Sequence, residues 1–259
     1  MNIKIFVCDN SIEGIFTAIY QAWSSGNGHA NNKIQEQGDA NQYTTMELFA
    51  EYITVETNME LVNKVAQSVK NKISEEVYHM ISNVALSNYQ GKADLIYRFM
   101  ILGFAMGNKV IDDLSNDVVN KIFKISRNVS NEAHHMMGFL RFSEYERGLL
   151  VSVIHPKNNI ISLITPHFVD RLPDEKFIIY DETRGLAVIH LPNKSAFLIH
   201  IDDNNMIRDS FKIKSDMEDE YKQLWNSFFN SIAIKERLNP KLQRNLLPLR
   251  YRKDMTEFL

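Results

Sequence analysis

KFIIYDETRGLAVIHL, Lys176–Leu191, decides the fold class. Two short runs of β-branched and aromatic residues flank a turn at Glu182–Gly185, the pattern of a hairpin. Parallel strands would need a crossover of about a dozen residues or more, and this turn leaves no room for one. Ala196–Ile201 extends the series past a second turn, Pro192-Asn193-Lys194. Upstream, Phe139–Glu144 and Leu149–His155 read as further strands around Glu146-Arg147-Gly148, and a helix over Ile160–Arg171 interrupts the series.

Long helices bracket these strands. Asn116–Gly138 puts Val118, Ile122, Ile125, Val129, Ala133 and Met136 on one apolar stripe. After the strands, Ser215 and Glu218 form a capping-box pattern. Met217, Tyr221, Leu224, Trp225, Phe228 and Ile232 then predict a buried stripe. At the start, Asn2–Val7 reads as a strand, Asp9-Asn10-Ser11 as a turn and Ile12–Trp23 as a helix. Ser24–Gln42 holds almost nothing apolar and reads as a flexible surface loop. Asn58–Asn108 is mainly helical, in three pieces. The expected class is α+β: a helical N-terminal half, then an antiparallel sheet flanked by long helices. The division falls as 1–110, with the polar loop 24–42, and 111–259, with a basic end, or the whole forms one compact domain.

With 259 residues, 44% hydrophobic and 24% charged, the chain can bury a real core, which excludes disordered, collagenous and disulfide-scaffold classes. A formal charge of −3 means that any phosphate contact must come from a local patch. The lone cysteine, Cys8, cannot form an intrachain disulfide and suits a reducing cytosol. Neither a signal-peptide core nor a membrane-spanning segment is read, so a cytoplasmic location is expected.

Three segments carry candidate chemistry. Lys235–Lys253 holds seven cations and one anion, Glu236, while Met1–Ile234 carries −7. Asn239 followed by Pro240 marks a helix start. In that helix Lys241, Arg244 and Asn245 fall within about 100° of one another, with Leu242 and Leu246 pointing into protein. Such a strip suits phosphate-backbone contact; the alternatives are a solvated face, or partners for the acidic stretch Asp202–Glu220.

The second segment is EAHHMMGFLRF, Glu132–Phe142. His134 and His135 lie off the apolar stripe but diverge by about 100°, which does not suit chelation of one metal. Gly138 is read as ending the helix and launching a strand that bears Arg141. Ligand or phosphate contact competes here with simple helix-end electrostatics.

The third is TPHFVDRLPDEKFIIYDETRG, Thr165–Gly185. His167 and Arg171 share a helix face, and Asp181, Glu182 and Arg184 sit at the hairpin turn. They suit an acid–base or anion site, or Asp181 and Arg184 simply fix the turn. Phosphate-loop, dinucleotide, CxxC and GxSxG motifs are absent. No cofactor or metal is expected.

These segments, with YKQLWNSFFNSIAIKERLNPKLQRNLLPLRYRKDMTEF and the opening FVCDNSIEGIFTAIYQAW, resemble a bacterial family of DNA metabolism or DNA repair proteins. The resemblance covers nearly all of the chain outside Ser24–Gln42, and Arg237–Gln243 is its most specific part. Members are typically encoded beside a radical-SAM protein of DNA modification or repair, and some are fused to a uracil-DNA glycosylase-like domain. The chain departs at His135, where the family usually has arginine, and at Arg252 after Tyr251, where it usually has a Tyr-Trp pair.

The resemblance therefore implies a DNA-binding accessory of a radical-SAM enzyme. Its expected contacts are His135, Arg141, His167, Arg171, Arg184, Arg237, Asn239, Lys241, Gln243, Arg244 and Arg250. The alternatives are a glycosylase or base-lesion hydrolase, with His134 or Asp181 activating water, and a non-catalytic interaction subunit.

Overall fold

The computed structural model describes residues 3–38, 47–145, 148–201, 217–237 and 239–258. It divides into two units, Met1–Ser130 and Asn131–Leu259, the boundary falling inside the long helix.

The first unit opens with β1 (Ile3–Cys8), α1 (Ile12–Ser24), β2 (Asn32–Glu36) and β3 (Ala50–Thr54). β1 lies between β2 and β3 and runs parallel to both. Ser11 Oγ caps α1 by accepting from Gly14 N at 3.0 Å. Gly14 has no room for a larger residue, since a Cβ there would lie 2.6 Å from Asp9 O.

β2 falls within the segment read as a polar loop, whose residues 39–42 lie outside the described ones. A strand this polar forms because its groups are satisfied. The buried Asn32 donates from Nδ2 to Ala22 O at 2.6 Å, Ile34 N donates to Asp94 Oδ1 at 3.2 Å, and Glu36 Oε1 accepts from Ala93 N at 2.9 Å. Asp94 and Ala93 belong to α4 (Lys92–Met106), which with α2 (Met59–Lys72) and α3 (Glu75–Leu86) builds the helical part of this unit.

α5 (Asp117–Phe139) matches the expected long helix within one residue at each end, with Val119, Ile122, Val129, Ala133 and Met136 buried. Its last turns belong to the second unit, followed by β4 (Ser143–Tyr145), β5 (Leu149–Ile154), α6 (Ile161–Arg171), β6 (Lys176–Asp181), β7 (Leu186–His190) and β8 (Phe197–His200). The sheet order is β4-β5-β6-β7-β8. The class is α+β. The sheet is mixed, however, and not antiparallel: α6 serves as a crossover, so β6 runs parallel to β5, while the β4–β5, β6–β7 and β7–β8 pairs are antiparallel. Gly138 does not end α5, and Arg141 lies in the connection before β4 rather than on a strand.

The chain closes with α7 (Glu218–Ile232), α8 (Pro240–Leu246) and α9 (Leu249–Arg252). Ser215, half of the expected capping box, lies outside the described residues. The stripe expected to be buried on α7 is exposed, from Trp225 at 41% to Leu224 at 68%. The helix makes its contacts through other groups: Glu218 is buried and accepts from Glu144 N at 2.8 Å, Trp225 Nε1 donates to Glu257 at 3.2 Å, and the Phe229 ring lies 6.0 Å from that of Phe258. No described helix is long and apolar enough to cross a membrane.

Candidate nucleic-acid interface

In the second unit, carboxylates hold three of the cations that the sequence marks, Arg141, Arg184 and Arg250. Glu132, 2% exposed near the end of α5, accepts from Lys157 N at 3.1 Å, Asn158 N at 2.9 Å and Asn158 Nδ2 at 2.6 Å. Arg250 approaches the same carboxylate at 3.4 Å and donates to the Tyr251 hydroxyl at 2.6 Å. Tyr251 is 3% exposed, with its ring centroid 5.3 Å from that of Phe139 and 5.8 Å from that of His135. Burial pushes the Tyr251 phenol up, which keeps it neutral.

Two further ties hold the segment after α9. His155, just past β5, donates or accepts at Nδ1 with Asp254 at 3.0 Å and at Nε2 with Glu182 at 2.7 Å. Burial raises the Asp254 carboxyl despite the opposing pull of His155. Glu257 pairs with Arg141 at 2.7 Å and accepts from Trp225 Nε1 at 3.2 Å. Burial opposes ionisation of Glu257, but the Arg141 bond and its other donors outweigh it and hold the carboxyl below its usual range.

At the β6–β7 turn, Asp181 is fully buried. It accepts from Thr183 N at 3.0 Å and from Arg184 Nη1 at 2.9 Å, and Arg184 also donates to the carbonyls of Pro156 and Lys157. Burial raises the Asp181 carboxyl, and the Arg184 bonds pull the other way. This is the arrangement of a turn lock, not of a base open to water. Arg141 and Arg184 sit in separate clusters, each already paired. His134 is exposed; His135 stacks on Phe139. His167 meets Phe168 edge-on, and Arg171 is exposed.

Arg237, Lys241, Arg244 and Lys253 remain, all exposed and without an ion pair among the described residues. Asn239 is a cap, accepting from Leu242 N at 3.1 Å, and Gln243 is half-buried. Leu242 and Leu246 do not point into protein: they are 53% and 65% exposed, and the segment is anchored by Tyr251 and Met255 instead. Arg252 lies over the Phe258 ring at 4.7 Å. Sequence reasoning places Glu182 at the turn but misses its partner His155, as well as Asp254 and Glu257, whose pairing joins residues as far apart as 116 positions. No described group of three or more His, Cys, Asp or Glu suits a metal ion.

The second unit is thus a mixed sheet with a C-terminal segment clamped to it by ion pairs and bearing exposed cations. The chain belongs to the family described as a domain of unknown function, DUF4130, whose model matches residues 90–257. No curated protein matches it. Among solved structures, RecJ from Thermus thermophilus in complex with Mn2+ aligns at a TM-score of 0.36 and 9% identity over 82% of this chain and 51% of that one. The same protein with Mg2+ aligns at 0.33 and 9% over 73% and 42%. The chain therefore spans about half the length of these structures or less, and likeness at this level carries no argument.

Proposed function

We propose that this protein is a cytoplasmic DNA-binding accessory of DNA metabolism or repair that works with a radical-SAM enzyme. The exposed quartet Arg237, Lys241, Arg244 and Lys253 carries the DNA part of this reading, since unpaired cations on an anchored segment can neutralise phosphates without first breaking internal ion pairs. The radical-SAM partnership rests on the family resemblance of the C-terminal motifs. Arg141, Arg184 and Arg250 are assigned to holding the fold, and no catalytic role is assigned to Asp181, whose carboxylate is enclosed.

Fluorescence anisotropy against single- and double-stranded oligonucleotides at several salt concentrations tests the DNA reading. The triple variant Lys241→Gln/Arg244→Gln/Lys253→Gln is expected to bind more weakly and to lose about 2 to 3 units of the log–log salt slope, roughly 0.9 per lost phosphate contact. A parent that does not bind, or a triple variant that binds like it, overturns the reading.

A further inference from the structure

The first unit contains a cleft that the proposed function does not use. Its volume is about 260 Å³, and it is bounded by α1, α2 and α4. Ile19, Val65 and Met100 form its buried floor. Tyr20, Trp23 and Phe104 supply aromatic walls, and the Trp23 and Phe104 centroids stand 5.2 Å apart edge to face. Trp23 is further braced by His29, whose ring lies 4.5 Å from it and whose Nδ1 is 2.8 Å from the Tyr97 hydroxyl. Within these contacts the indole is 39% exposed.

The remaining lining is a polar row on α2. Lys64, Ser68 and Lys72 recur every four residues and so share one face of the helix. Both lysines are exposed, neither has an ion pair among the described residues, and none of the described residues that line the cleft is acidic. An apolar hollow edged by two cations is complementary to a molecule with an apolar body and an anionic head. The cleft also lacks the amide and carboxylate groups that read the edges of a nucleobase, which favours an aliphatic body over a nucleotide.

We infer that this cleft binds a medium-chain aliphatic anion, with its chain on Ile19, Val65 and Met100 and its carboxylate or phosphate at the Lys64–Ser68–Lys72 row. Trp23 is one of only two tryptophans in the chain and reports occupancy directly. The test titrates the full chain with decanoate, decyl phosphate, decanol, decyltrimethylammonium and dAMP below any micellar concentration, by tryptophan fluorescence and calorimetry. Both decyl anions are expected to bind at least about tenfold more tightly than decanol, with the cation and dAMP weaker still; their order separates a carboxylate head from a phosphate one. Lys64→Gln/Lys72→Gln is expected to erase the preference for anions. Ser68→Trp, which fills the cleft from its partly exposed rim, is expected to abolish binding while leaving the melting curve in place. Absence of anion binding, equal binding of decanol or the cation, tighter binding of dAMP, or unchanged binding in a folded Ser68→Trp protein overturns the inference.

Discussion

Asp254 lies 99 residues from His155 along the chain and 3.0 Å from its Nδ1 in space, while Glu182 takes the other ring nitrogen. The imidazole thus separates two carboxylates that would otherwise repel. His155→Ala is expected to cost about 2 kcal/mol at pH 7, because it leaves two partly buried acids facing one another. Urea unfolding would register this as a lower midpoint. Asp254→Asn should be far milder, since it removes the charge that burial disfavours; equal losses in the two variants would refute this account.

The pH dependence of the two clamp acids has opposite signs. Burial raises Asp254 above its ordinary 3.8, so the folded state holds that proton more tightly. Its contribution is therefore greatest below 3.8 and is lost as pH rises through the raised value. Glu257 is lowered from 4.5, so its contribution is present above 4.5 and is lost as pH falls through the folded value. The stability gap between parent and Glu257→Gln should accordingly close on acidification, which urea midpoints across roughly pH 3 to 7 would show.

Glu132 is a buried acid of the second unit that accepts three hydrogen bonds. Glu132→Gln keeps one acceptor oxygen and turns the other into a donor NH2, so Lys157 N or the Asn158 pair is left facing a donor, which is expected to cost about 2 to 3 kcal/mol. A variant as stable as the parent in thermal unfolding would show that these bonds contribute little.

Gly185 adopts φ +64°, and a Cβ there would lie 2.8 Å from Ile201 O. Gly185→Ala should therefore lower stability by about 1 to 3 kcal/mol, through backbone strain together with the clash. An unchanged melting temperature would mean that the turn relaxes freely.

Cys8 is buried, and burial, followed by Glu36 and Asp9, pushes its thiol up to about 12. A thiol reagent at neutral pH should leave the native protein unlabelled and label it on unfolding. Rapid native labelling would contradict this placement.

Periodicity makes the secondary structure legible: α5, α6, β5, β6 and β7 lie within a residue or so of where apolar spacing puts them. β2 is hidden because its stability comes from Asn32, Asp94 and Glu36 satisfying polar groups, a contribution with no apolar signature. The stripe on α7 misleads because spacing identifies an amphipathic helix without stating which face docks; here Glu218, the Trp225 indole N–H and Phe229 make its contacts.

The sequence by itself determined the class, the long helices, the strands β1 and β5 to β8, and the concentration of positive charge near the end of the chain, since these follow from local spacing and composition. Only the tertiary structure decided which cations remain unpaired. Arg141, Arg184 and Arg250 look like Lys241 and Arg244 in a one-dimensional chain, but folding brings Glu257, Asp181 and Glu132 to the first three and no described carboxylate to the other two. Ion pairing falls off within ångströms, so contacts across as many as 116 residues are invisible until the sheet and its C-terminal clamp have formed.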